Sequence, residues 1–208
     1  MPDQMLEVEN LHLWRGERHV LRGVRFALAR GACLELSGAN GAGKTSLLRT
    51  LCGLIYPEEG RVLWKGQDVR ADLPAFHAVL AYLGHEPPLK ADLTARENLR
   101  YWIGIRRCLT QQDLDAALAR VGGASWGERL VRTLSAGQRR RVALAGLALL
   151  AVPLWLLDEP TTNLDAEGRQ LVGSLMAEQL ARGGMVIAAI HHGLPEGVPV
   201  AQRLELAA

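Results

Sequence analysis

Apolar positions fall into two rhythms along the chain. Near the N-terminus Leu6 and Val8, then Leu11 and Leu13, read as a strand, Arg15-Gly16-Glu17 as a turn, and residues 20–28 as a second strand. After Gly31, the mainly apolar run Ala32-Cys33-Leu34-Glu35-Leu36-Ser37 has the pattern of a short buried strand. Leu47, Leu48, Leu51 and Leu54 recur at helical spacing and predict a helix over 45–54, weakened near its end by Gly53. Residues 60–64 and 80–83 are further strand candidates, and Pro87-Pro88 breaks the chain. Thr94-x-x-Glu97 matches a capping box and opens a helix toward Ile105; Thr110-x-x-Asp113 similarly opens one over 114–121. Residues 154–158 form a buried strand, 165–181 a helix that Gly183-Gly184 ends, and 185–190 the next strand. Alternating strands and helices predict an α/β fold with a mainly parallel central sheet, interrupted over 87–150 by an all-helical insertion.

With 208 residues, 49% of them hydrophobic and 22% charged, the chain makes one domain with a full core and room for an inserted subdomain; intrinsic disorder is excluded. A net charge of +2 argues against a dedicated nucleic-acid binder, which needs a clustered basic surface. The longest uncharged run, 142–157, is interrupted by Gly146 and Pro153 and is too short to span a bilayer. The N-terminal residues lack the charged and apolar regions of a secretory signal. Cys33, Cys52 and Cys108 follow no ligand spacing and read as reduced thiols.

Only three basic residues are lysine, Lys44, Lys65 and Lys90, and Lys44 lies in a glycine-rich loop. Gly38-Ala39-Asn40-Gly41-Ala42-Gly43-Lys44-Thr45 fits G-x-x-x-x-G-K-[ST] between a predicted strand and helix. Backbone N–H groups converging on a polyanion need glycines without a Cβ in the way, and a helix N-terminus aims its dipole at the phosphates. Lys44 is a compact charge for the β- and γ-phosphates, and the Thr45 hydroxyl is a candidate Mg²⁺ ligand. In Leu154-Trp155-Leu156-Leu157-Asp158-Glu159, a buried strand delivers two carboxylates at its C-terminal edge, where ligands bind in open α/β sheets. Asp158 is a candidate to hold Mg²⁺ through its water. Glu159, pointing the other way along the pleat, is a candidate to polarise a water attacking the γ-phosphate. A guanine-reading Asn-Lys-x-Asp segment is absent, which disfavours GTPases.

Leu134-Ser135-Ala136-Gly137-Gln138 precedes a further helix, with Ser135 as a natural N-cap and Gly137 leaving the backbone open to an anion. One chain thus carries two half-sites adapted to phosphate. If they lie on different faces, two copies must pair head to tail, each closing the other's ATP with its Ser135 loop. The neighbouring Arg139-Arg140-Arg141 reads as a solvated helix start, with one of the three available to shape the field of the site.

These motifs resemble those of the ATP-binding cassette family, and the likeness covers nearly the whole chain. It implies an antiparallel N-terminal β subdomain and a RecA-like core over 1–86 and 151–208, with a helical subdomain over about 87–150. It further implies that residues 38–46, including Ser46, hold ATP, that Ser135 and Gly137 belong to the signature motif, and that Asp165 in Thr162-Asn163-Leu164-Asp165 communicates across a dimer. By the same likeness His191 contacts the γ-phosphate and Trp14, where Tyr is more frequent, stacks on adenine. His85 and Ala136 depart from the family pattern. His85 stands where a glutamine near Mg²⁺ is usual, and its imidazole changes charge near neutral pH; a solvated loop histidine is the alternative. His12, His19, His77 and His192 read as bystanders.

Residues 38–48, 83–99 and 134–145 with the following LWLLDEP also resemble the ATP-binding subunits of cytochrome c maturation haem-export complexes. That likeness implies an ATPase on the cytoplasmic face of a bacterial inner membrane, partnered by integral membrane subunits. Motion would pass to those subunits through His85 and residues 87–107. Without a C-x-x-C-H motif the chain is not expected to bind haem itself. A transporter ATPase with another cargo and a soluble regulatory cassette are the alternatives.

Overall fold

The computed structural model describes residues 4–191 and 193–207. Strands β1 (Gln4–Arg15) and β2 (Arg18–Ala29) form an antiparallel pair that turns at Gly16. β1 pairs on its other edge with β4 (Glu59–Trp64), which pairs with the two-residue β5 (Gln67–Asp68); this sheet has the order β2-β1-β4-β5. The second sheet is parallel throughout. Its strands β3 (Cys33–Ser37), β6 (Leu80–Leu83), β7 (Leu154–Asp158), β8 (Met185–Ala189) and β9 (Gln202–Glu205) run in the order β6-β7-β8-β3-β9. Helices are α1 (Lys44–Leu51), α2 (Leu73–Ala78), α3 (Ala95–Gly104), α4 (Gln111–Arg120), α5 (Ala136–Leu150) and α6 (Ala166–Ala181).

The parallel sheet is covered on both faces, as such sheets must be, and its central strands are continuous apolar runs, β8 along its length and β7 up to Asp158. Along β7 the side chains alternate between two cores. Leu154 and Leu156 join Leu34, Leu36 and Ile187, together with Leu47, Leu48 and Leu51 of α1 and the inner face of the antiparallel sheet. Trp155 and Leu157 join Ala81, Val186 and Ala188 against α5 and α6. Each fully buried Leu is worth about 1.5–3 kcal/mol, so one register slip of β7 would misplace the whole set. Helix α5 has no polar side chain after Arg141 because it serves two layers. Val142 and Ala145 pack with Leu99 of α3 and with Leu114 and Leu118 of α4, whereas Ala143, Leu144 and Leu147 face the sheet.

The capping boxes at Thr94/Glu97 and Thr110/Asp113 both form and start α3 and α4. Three expectations need correction. Helix α1 stops at Leu51, because Gly53 takes a left-handed φ of 72°, and Leu54 is consequently 61% exposed instead of continuing the apolar stripe. The stretch 87–150 is not helical throughout. Between α4 and α5 the chain is irregular, punctuated by Gly122, Gly123 and Gly127 and tied down by a bridge between Thr94 and Leu130. Strands β5 and β9 and helix α2 are additional elements. Among the described residues no helix is long and apolar enough to cross a membrane. Burial pushes the Cys33 thiol up to about 12 and that of Cys52 to about 11, so both stay protonated at neutral pH.

Thr94 Oγ1 accepts from Glu97 N–H, while Glu97 returns a bond to the Thr94 backbone N–H. Replacing Thr94 with Ala should cost about 1 kcal/mol. The midpoint of urea unfolding reads this; an unshifted midpoint would show that the cap does not limit stability.

Candidate nucleotide-binding site

The loop joining β3 to α1 passes through two glycines whose backbone angles exclude most side chains. Gly38 has φ 134°, and a Cβ there would lie 2.5 Å from the Leu206 carbonyl oxygen; Gly43 has φ 104°, and its Cβ would meet Val20 at 2.7 Å. The segment after β9 therefore presses on the loop from one side and β2 from the other. Lys44, 6% exposed, folds back over the loop and donates from Nζ to the carbonyls of Gly38 at 2.6 Å and Ala39 at 3.1 Å. Arg18, which carried no signal in the sequence, donates to the Gly41 carbonyl at 3.0 Å. A cavity of about 280 Å³ is lined by Asn40, Gly41, Gly43, Lys44, Thr45 and Ser46, flanked by Arg15 and Arg18 and closed by Glu159 and His191.

Asp158 ends β7 on the side shared with Leu154 and Leu156, the side covered by α1. It is 2% exposed, and its buried Oδ2 has no hydrogen-bond partner among the described residues. Glu159 does not continue the pleat as expected. It lies beyond the strand with a left-handed φ of 49°, a conformation costing about 1–3 kcal/mol at a non-glycine residue. Its N–H donates to the Ala189 carbonyl at 2.9 Å. This turn brings Glu159 Oε1 within 2.7 Å of His191 Nε2 and Oε2 within 3.8 Å of His85 Nδ1; Thr162 donates its hydroxyl to Oε2 at 3.2 Å. One carboxylate thus sits between two imidazoles, on loops leaving β6, β7 and β8. His192 lies outside the described residues.

Trp14 does not line this cavity among the described residues. Its ring stacks on His19 with centroids 3.8 Å apart and planes 7° from parallel, and His19 in turn shares a 3.0 Å ring-nitrogen contact with His12. His12 and His19 are therefore part of an aromatic stack with Trp14, not isolated surface histidines. The register between β1 and β2 puts Trp14 opposite His19, a pairing invisible without knowing the bulges in that ladder. His77 is held by the Cys52 carbonyl at 2.8 Å, far from this group in the sequence.

Ser135 caps α5 in a complete capping box with Gln138. Gly137 abuts the loop before α6: a Cβ there would fall 2.9 Å from the Asn163 carbonyl oxygen. Asp165 caps α6 through Gly168 N–H at 2.8 Å and pairs with Arg141 at 3.0 Å; these two contacts, the cap first, hold its carboxyl below the usual aspartate range. Among the described residues none of 134–138 reaches the phosphate-loop cavity. The solvated reading of Arg139-Arg140-Arg141 fails at its second residue. Arg140 is 2% exposed, because its guanidinium is turned inward onto backbone carbonyls at the ends of β6 and β7.

A glycine-rich phosphate loop after β3 and an acidic end on β7, two parallel strands flanking β8 in one sheet, define a nucleoside-triphosphate-binding protein. Residues 21–162 match the family model of the ABC transporter. The chain is 46% identical over 195 residues to the cytochrome c biogenesis ATP-binding export protein CcmA of Methylococcus capsulatus, covering 93% of this chain and 94% of that one. It is 43% identical to the protein of the same name from Salmonella typhi, over 97% of both chains. A solved ATP-binding subunit of an ABC transporter superposes with a TM-score of 0.82 at 27% identity, over 90% of this chain and 80% of that one. The cbiO1 subunit of the cbiONQ transporter complex from Clostridium perfringens gives 0.74 at 26% identity, over 91% and 79%. The chain belongs to the ABC transporter family, within the group of cytochrome c biogenesis ATP-binding export proteins.

Because Lys44 is the cation folded over the loop, Lys44→Ala should weaken ATP binding by at least about tenfold. Calorimetry with ATP measures it, and unchanged affinity would show that the ammonium does not face the phosphates.

Proposed function

We propose that this chain is the ATP-hydrolysing subunit of a cytochrome c biogenesis export complex. Its turnover powers haem delivery, or release of a haem-loaded chaperone, across a bacterial inner membrane. The names of its relatives and the cavity between the phosphate loop and Glu159 support this reading. The chain works on the cytoplasmic face, docked to integral membrane subunits. Tyr101 and Ile105, 53% and 74% exposed, offer apolar contacts within the 87–107 segment assigned to that docking.

In the proposed reaction the backbone amides of 38–46 and the ammonium of Lys44 hold the β- and γ-phosphates. Trp14, backed by His19, supplies an aromatic face for the base. Glu159 accepts a hydrogen bond from the attacking water and polarises it toward the γ-phosphorus, and the γ-phosphate leaves ADP as inorganic phosphate. His191, 2.7 Å from one oxygen of Glu159, orients the carboxylate and reaches toward the γ-phosphate. The buried Oδ2 of Asp158, without a partner among the described residues, fits a cation as its partner. Among the described residues no three His, Cys, Asp or Glu side chains gather into a metal cage, as suits an ion shared with the nucleotide. Thr45 and Asp158, with His85 as the third expected group, would hold Mg²⁺, which when bound would neutralise charge on the β- and γ-oxygens.

One observation carries the mechanism: among the described residues the phosphate-loop cavity is lined by Asn40, Gly41, Gly43, Lys44, Thr45 and Ser46 with Arg15, Arg18, Val20, Glu159 and His191, and by none of the Ser135 loop. We infer that a second copy supplies Ser135 and Gly137 in trans, at the N-terminus of its own α5, and that Asp165 lies beside the seam. Glu159→Gln should preserve ATP affinity, lower turnover by about 10²–10³-fold and accumulate an ATP-dependent dimer. Wild-type turnover in this variant would remove Glu159 from its role. Mixing Ser135→Arg chains with Lys44→Ala chains should restore activity that neither has alone, since the heterodimer keeps one intact composite site. Heterodimers that form without rescue would contradict the trans arrangement. Copurification from detergent-solubilised membranes tests the export assignment, which predicts cytochrome c biogenesis membrane subunits in the complex and fails if subunits of another transporter are found.

A further inference from the structure

Arg140 opens the second turn of α5, and its guanidinium is buried. From Nη1 it donates to the carbonyls of Gly84 at 2.7 Å and His85 at 3.3 Å. From Nη2 it donates to those of Asp158 at 2.9 Å and Glu159 at 2.7 Å, and from Nε to that of Pro160 at 3.2 Å. A guanidinium has five N–H donors, and all five find a carbonyl. Among the described residues no carboxylate oxygen lies within ion-pair distance of it; the acceptors are backbone dipoles drawn from two loops. Burial pushes its pKa down to about 10, which still leaves it charged at neutral pH.

The two loops are those that matter for hydrolysis. One follows β6 and carries His85; the other follows β7 and carries Glu159, whose left-handed backbone needs an outside restraint. The helix supplying the guanidinium is the one that Ser135 caps. A carbonyl bond on Glu159 itself and on each of its chain neighbours fixes the peptide planes around that strained residue, and thereby the direction of its side chain.

We propose that Arg140 is a positioning residue for ATP hydrolysis: its planar guanidinium clamps the His85 loop and the Glu159 loop together and ties both to the helix that carries Ser135. The proposal rests on Glu159 being the group that polarises water. Lysine keeps the charge but substitutes only in part, because its three donors radiate from one atom and cannot span acceptors on two sides. Glutamine retains two donors and no charge. The clamp acts on the hydrolytic step and not on the phosphate loop, so its removal should separate turnover from binding.

The test uses Arg140→Gln and Arg140→Lys in the full chain. Expected is a fall in kcat of about 10²-fold for Gln, with Lys recovering only part of it. KM for ATP, and calorimetric affinity for a non-hydrolysable ATP analogue, should stay within about threefold of the parent. A kcat within about threefold of the parent, or kcat and affinity falling in parallel, would overturn the proposal. Failure of both variants to fold would overturn it too, by assigning the guanidinium to stability alone. Glu159→Gln is measured alongside. If it keeps wild-type turnover, the reading of Glu159 itself is lost; if it is inactive while both Arg140 variants turn over normally, only the clamp is lost.

Discussion

A parallel sheet whose central strands are buried on both faces can place chemistry only at its ends. β7 up to Leu157 and β8 along its length spend their side chains on the two cores, so the chain's reactive groups emerge where those strands stop. Because the neighbours β6, β7, β8 and β3 run in one direction, their carboxyl ends share an edge. The phosphate loop leaves β3, Glu159 leaves β7, His191 follows β8, and His85 follows β6. The meeting of Lys44, Glu159 and His191 around one cavity follows from strand order and register.

Charge within this edge is managed by backbone dipoles as much as by counter-ions. Lys44 rests on two loop carbonyls, and Arg140 on five carbonyls from the ends of β6 and β7. Carbonyl dipoles offset part of the cost of removing a cation from water without neutralising the carboxylates nearby. In the proposed reaction this leaves Asp158 to a cation and Glu159 to a water.

Much of this was legible in the residues before any geometry. The glycine-lysine-threonine spacing located the phosphate loop, four apolar residues ending in Asp158 located the buried strand, and Thr94/Glu97 and Thr110/Asp113 marked two helix starts that the structure forms. What escaped has physical causes. β9 reads Gln-Arg-Leu-Glu and lies at the sheet's edge with mostly exposed side chains, so it carries no burial pattern. The inward turn of Arg140 is invisible in a run of three arginines, because composition cannot tell a solvated cation from one received by distant carbonyls. The pleat rule misdirected Glu159, since it presumes the strand continues one residue further than it does. The stack of Trp14 on His19 depends on bulges in the β1–β2 ladder, which alternation of side chains does not encode.

The same economy bears on the proposal that a second copy completes the cavity. α5 is fixed at its start by Arg140 and along its length by two cores, so Ser135 cannot swing onto its own chain's phosphate loop without breaking both. A crystal structure of the Glu159→Gln chain with ATP and Mg²⁺ tests this most directly. The account predicts a two-fold pair in which the Ser135 hydroxyl and Gly137 amide that touch each γ-phosphate belong to the other protomer. A γ-phosphate held by the Ser135 of the same chain that supplies Lys44 would contradict it.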